Sequence, residues 1–361
     1  MKKRNYGLDI ARIYAMCGIV MLHILGQGGV LISTVGNSLK YGMIWWLEIC
    51  AYCSVDLFAL LSGWLGIRKK RYSTYRTLEL ITIVICYCIV ITLVFCIVSP
   101  GVFEGKMDII KGLIPYLLGR YWYIMCYIPI AILQPFLNKM ILILSENQHK
   151  QLCILSVLLF SVLPNILNRD YFAFNDGYSF IWLVICYVIG AYLKRMEDII
   201  YKKSKKTKDI FIFLVCSILL LIGKTIIDFT FNVDSQYFIG YTSPITLLMA
   251  IVVLAFMGKL KIRYCKDIVK KMSTAAFDVY IIHCHILIFD VLIKDHFKWI
   301  SNMQIFLIPI TIICLVVILY LLLTLIGIIR EQLFEKAHFN SALKRLSSKI
   351  DDILYVEINI N

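Results

Sequence analysis

The sequence predicts an all-α fold: a polytopic membrane helical bundle of about ten transmembrane helices with both termini cytoplasmic. Three observations carry that expectation. Hydrophobic residues make up 60% of the 361 positions against 17% charged, and mean hydropathy is +0.81, a balance outside that of ordinary soluble domains. Apolar stretches suited to a hydrocarbon core of about 30 Å, which takes roughly 20 helical residues, recur from one end of the chain to the other. Lys and Arg interrupt these stretches instead of forming one patch, so the net charge of +14 reports topology and not nucleic-acid binding.

The first element follows Met1-Lys2-Lys3-Arg4. Its apolar run from Leu8 continues past Leu25 without a small-x-small cleavage site, which predicts a retained span over 9 to 30 instead of a removed signal. Further spans are expected at 43 to 66, 77 to 99, 121 to 144, 151 to 167, 178 to 193, 209 to 229, 242 to 260, 274 to 293 and 302 to 329. The fifth and sixth are short for a full crossing and call for tilt, re-entry or covering neighbours. Most of the 37 Lys and Arg fall in the alternate segments 1 to 8, 67 to 76, 145 to 150, 194 to 208, 261 to 273 and 330 to 361, which the positive-inside rule places in the cytoplasm. Loop 100 to 120, with Gly112-Leu-Ile-Pro115-Tyr-Leu-Leu-Gly119, is apolar for an external loop and is expected to re-enter or lie along the membrane face. Two units result: a transmembrane domain over 1 to 330, and a cytoplasmic or interfacial tail over 331 to 361 that mixes Ile, Leu and Phe with charges. The 13 cysteines are scattered through apolar segments and read as small buried hydrophobes; the close pair Cys50 and Cys53 lies inside a span, not in a zinc knuckle.

Several ionisable side chains fall inside the spans, where burial is expensive and function is the default hypothesis. Arg12 and His23 are eleven positions apart, about three helical turns, so they share one face roughly 16 Å apart along the axis. A guanidinium near the cytoplasmic edge suits phosphate, and a deeper imidazole suits proton transfer. A snorkelling Arg12 and a hydrogen-bonded interior His23 are the plainer alternative. In the second span Glu48 and Asp56 need a cation or hydrogen-bond donors, and Arg12 or His23 are candidate partners for Asp56. The cluster Arg68-Lys-Lys-Arg71-Tyr-Ser-Thr-Tyr-Arg76 reads either as a stop-transfer flank or as a site for the phosphates of a nucleotide-bearing donor. The ninth span holds Asp278, Tyr280, His283 and His285, too many polar groups for a lipid-facing helix. His283 and His285 lie two residues apart on different faces, and we expect no metal between them.

These motifs resemble the acyltransferase 3 family of bacterial membrane acyltransferases, a group that includes many glycan and peptidoglycan O-acetyltransferases. Arg12-x10-His23 matches the family's Arg-x10-His motif. Val55-Asp56-Leu57-Phe58-Ala-Leu-Leu-Ser62-Gly63 resembles its second-helix signature, and Arg68-Lys-Lys-Arg71 fits its Arg-x-x-Arg pattern, with Arg76 the alternative partner. Tyr121-Trp122-Tyr123-Ile124, Pro129, Pro135 and Tyr280-Ile-Ile-His283 are similar to further recurring segments. Asp278 departs from the small residue often found there.

The resemblance implies a multi-pass enzyme of the bacterial cytoplasmic membrane. It moves an acyl group, by family frequency acetyl, from cytoplasmic acyl-CoA (acetyl-CoA as donor substrate) to a hydroxyl of a cell-surface glycan or lipid-linked saccharide. Catalytic roles are expected for His23 and Asp56, donor binding for Arg12, Arg68, Arg71 and Arg76, and cavity lining for Glu48, Ser62, Trp122, Tyr280 and His283. No metal and no tightly bound cofactor is implied, and separate glycan-assembly proteins are conceivable partners. The rival class is a secondary transporter or flippase, since buried acids and histidines also mark proton-coupled carriers.

Overall fold

The computed structural model describes residues 4–34, 36, 38–69, 72–231 and 238–354; it is 81% helix, with no strand among the described residues. In chain order the principal helices are α1 (Tyr6–Leu25), α2 (Leu39–Gly66), α3 (Thr74–Val98), α4 (Trp122–Ile143), α5 (Glu146–Leu167), α6 (Phe180–Arg195), α7 (Lys206–Phe231), α8 (Pro244–Gly258), α9 (Lys266–His283), α10 (Leu307–Lys336) and α11 (Phe339–Leu354). A helix stands at each segment expected to span. Seven of them, α1 to α5, α7 and α10, are long and apolar enough to cross a membrane, and α9 with Ile286–Asn302, bent by 68°, makes an eighth. The remaining two, α6 with 16 residues and α8 with 15, are shorter and packed against α2.

The bundle is organised around α2, which packs on α1, α6, α7 and α8. Small residues explain the close approach. A Cβ on Gly63 would lie 2.0 Å from the Tyr187 carbonyl oxygen of α6, and one on Gly190 would lie 2.1 Å from that of Leu60. This reciprocal pair brings two backbones into contact, the packing by which membrane helices associate without a hydrophobic driving force. The end of α2 is tied down as well. Asn138 of α4 donates to the carbonyls of Gly66 (2.9 Å) and Lys69 (2.8 Å) and accepts from the Tyr187 hydroxyl (2.6 Å). Carbonyls that a helix end leaves orphaned are thereby satisfied, and the basic segment after α2 is held in place.

Large apolar side chains exposed on α3, α5, α7 and α10, Ile97 and Ile166 among them, form the surface that a bilayer covers. Two buried charges outside the centre are firmly partnered. Arg330 of α10 grips both oxygens of Asp278 at 2.9 and 3.0 Å while the Tyr87 hydroxyl donates to Oδ1 at 2.8 Å. Lys224 pairs with Asp228 one turn on at 2.7 Å and lies 3.7 Å from the Trp45 ring centroid. Asp278 thus serves helix packing and faces away from His283.

The break after α9 has a local cause. His285 Nε2 donates to the Gly112 carbonyl at 3.0 Å, which leaves Nδ1 bare to accept from Leu287 N–H at 3.3 Å and cap the next helix. Loop 100 to 120 folds into short helices, and Gly112 in it docks against Thr92 and Leu287 at this break. Past residue 330, α10 continues to Lys336, and α11 turns back to pack on α3, with Thr74 bonded to Asp351.

Candidate active site

Helical periodicity on α1 builds the site. Asn5, Leu8, Arg12, Met16, Ile19 and His23 fall every third or fourth residue, and all of them line one cavity of about 1280 Å³. The stripe runs from a basic end to an aromatic end. The Arg12 to His23 spacing fixes roughly 16 Å of that length.

At the basic end the cavity is lined by Arg4, Arg12, Arg68, Lys69, Arg76 and Lys194, which outnumber the carboxylates Asp9, Glu79 and Glu197. The organiser is Asp9, buried at the first turn of α1. Arg4 donates to its two oxygens at 2.7 and 2.8 Å, Ser273 donates at 3.0 Å, and Arg12 lies 3.6 Å away. Arg12 keeps 35% of its side chain exposed, so it is steered by Asp9 without being neutralised in a dry pair. Burial, with Arg76 and Arg12 close by, pulls the Lys69 amine down to about 8. Such a surplus of positive charge favours a polyanion. Arg71 lies outside the described residues.

His23 sits some three turns deeper. Its ring centroid is 5.0 Å from that of His283 and 5.3 Å from Phe289, and its Nδ1 is 3.9 Å from Cys284 Sγ. His283 Nδ1 bonds to the Val279 carbonyl, an acceptor only, so that nitrogen carries the proton and Nε2 is bare. The bare Nε2 lies 3.5 Å from Cys284 Sγ. One nitrogen from each imidazole and the sulfur lie within 4.8 Å of one another, a three-ligand arrangement a metal ion would also accept.

Beyond His23 the lining turns aromatic. Trp122 stacks on Tyr241 at 6.3 Å and meets Tyr178 at 4.7 Å, and Tyr52 meets Tyr241 at 5.4 Å. Glu48 reaches the same region, and its Oε2 is buried without a hydrogen-bond partner. Arg120 closes this end, its guanidinium paired with Asp290 at 2.9 Å and 5.6 Å from the Phe289 ring.

Of the residues singled out from sequence, Arg12, His23, Glu48, Ser62, Arg68, Arg76, Trp122 and Tyr280 line this cavity. Asp56 and His283, both expected in the site, do not, and each corrects an expectation of its place. Asp56 was expected to balance Arg12 or His23. It follows Val55, which faces the cavity, and one residue turns an α-helix by about 100°; its Oδ1 therefore accepts from Trp182 Nε1 of α6 at 2.9 Å with Cys186 behind. Arg12 has Asp9 as its carboxylate instead. His283 does not line the cavity; it stands behind Cys284, fully covered. Sequence reasoning missed Asp9, Cys284 and the tyrosines Tyr52, Tyr178 and Tyr241, while Lys69 lay within the basic cluster it had singled out. Only Asp9 left a local signal, its i to i+3 spacing from Arg12.

A bundle of apolar helices around a cavity with clustered cations at one end and a buried imidazole at the other defines a membrane protein with an internal site. The family described as an acyltransferase domain matches residues 5–328, nearly the whole chain, and the chain belongs to this acyltransferase 3 family as a multi-pass membrane acyltransferase. No curated protein and no solved structure matches it.

Proposed function

We propose that this membrane acyltransferase draws its acyl group from an acyl-CoA held at the basic end and delivers it to a hydroxyl of a glycan or lipid-linked saccharide at the aromatic end. Acetyl is the acyl group that family frequency favours, and the setting is the bacterial cytoplasmic membrane with the basic end inside. The observation that carries this reading is the single cavity that joins Arg4, Arg12, Arg68, Lys69 and Arg76 to His23.

The chemistry follows from that layout. CoA carries several phosphates on a long pantetheine arm. Charge-assisted bonds to guanidinium groups hold phosphate, and the arm, threaded along Met16 and Ile19, brings the thioester to His23. His23 removes the proton of the attacking group as the acyl carbon is attacked, a role typically worth about 100- to 10,000-fold. The aromatic end supplies faces for sugar rings, and Glu48 supplies an acceptor for hydroxyl protons.

The test is turnover of purified protein in lipid with radiolabelled acetyl-CoA and envelope glycan. Wild type is expected to release CoA and label the glycan, while His23→Ala remains folded and does neither and Arg12→Ala does both only at raised donor concentration. Wild type that neither binds nor consumes any of several acyl-CoAs contradicts the reading.

A further inference from the structure

We infer that the acyl group pauses on Cys284 as a thioester between the donor and the acceptor. This rests on the acyltransferase reading and adds a covalent intermediate to it. Cys284 is the residue at which α9 stops; it is buried, lines the cavity, and stands between the two imidazoles at 3.9 Å from His23 Nδ1 and 3.5 Å from His283 Nε2. A thiol becomes a nucleophile when an adjacent base takes its proton, and a thiol within reach of an imidazole that a third group orients is the recurring form of such a site. The Val279 carbonyl fixes the His283 tautomer so that its bare nitrogen faces the sulfur.

The steps balance. The Cys284 sulfur, held in place by His283, attacks the carbonyl carbon of the acyl-CoA thioester while its S–H proton passes to His23, the one of the two imidazoles that lines the cavity. The bond between that carbon and the CoA sulfur breaks, and the departing CoA thiolate takes the proton from His23. One thioester replaces another, so the acyl group keeps its transfer potential and no oxidant, reductant or further reactant is needed. An acceptor hydroxyl then attacks the Cys284 thioester; its proton passes to His23 and on to the leaving Cys284 sulfur. A covalent stop suits this geometry, because the basic end and the aromatic end approach the same sulfur from opposite sides. CoA is free to leave before the acceptor arrives. His283 acts here as a positioning residue.

The experiment incubates purified protein in lipid with radiolabelled acetyl-CoA and no acceptor, quenches in acid, and maps the label by peptide mass. The expected result is one acetyl per chain on the Cys284 peptide, removed by neutral hydroxylamine and chased to glycan when acceptor is added. Cys284→Ala is expected to keep acetyl-CoA binding, which certifies its fold, to carry no label, and to transfer about 100-fold or more slowly. Cys284→Ala that labels glycan at the wild-type rate, or acetyl found on His23 instead, overturns the intermediate and leaves the acyltransferase reading standing. Label that chelation abolishes and zinc restores overturns it in favour of a metal held by His23, His283 and Cys284. Wild type that consumes no acyl-CoA brings down both readings.

Discussion

Asp278 and Lys224, buried between helices away from the cavity, and Glu48 and His23, which line it, are treated differently. Asp278 is held on both oxygens by Arg330 and on one by Tyr87, and Lys224 has Asp228 and the Trp45 ring. In the cavity, Glu48 leaves an oxygen without a hydrogen-bond partner and His23 meets only a weak sulfur contact. Burying a charge in a membrane protein is expensive, so a partnered group is accounted for by packing. Glu48 and His23 are left with polar atoms open to whatever enters the cavity. For these four groups the difference tells scaffold from site; Asp56, off the cavity with one oxygen buried and unpartnered, and Asp9, in it and fully partnered, fall outside that division.

Mutations on the two sides of that division should fail in different ways. The largest effect is expected for His23→Ala: activity falls about 100- to 10,000-fold with thermal stability unchanged, as turnover and melting curves would record. Asp278→Ala should do the reverse, costing about 3–5 kcal/mol of stability by stranding Arg330. Its activity per folded molecule should survive, and the double variant Asp278→Ala with Arg330→Met should recover much of the loss. Arg12→Ala removes charge-assisted bonds worth about 1.5–3 kcal/mol, so donor KM should rise about 10- to 100-fold with a smaller change in kcat.

The smallest expected effect is a pH dependence. Lys69 is protonated below about 8 and neutral above it. Phosphate binding needs the charged form, so kcat/KM for the donor should fall about 2- to 5-fold as pH rises from 7 to 9. Lys69→Arg should flatten that fall, and an unchanged profile in Lys69→Arg would remove Lys69 from the donor site.

What the sequence made legible follows from distance along the chain. Arg12 and His23 belong to one helix, and 3.6 residues per turn puts them on one stripe whatever surrounds it. The membrane class and the helix positions follow from hydropathy for the same reason. The partner of Asp56 was not legible because helical phase fixes a direction only relative to its own helix, and Trp182 occupies that direction from 126 residues away. Cys284 read as packing, since its chain neighbour His283 makes it part of a site only when His23 is brought beside it from α1. The Arg330 that answers Asp278 lies two helices on, past a bend that depends on His285 reaching Gly112.

The central claim is that donor phosphates and acyl chemistry occupy opposite ends of one path. Ile19→Trp, which puts a bulky ring on the stripe between Arg12 and His23, tests it most directly when acetyl-CoA binding and CoA release are measured together in lipid. Retained binding with CoA release lost is the predicted result; retained binding with wild-type release would contradict the account.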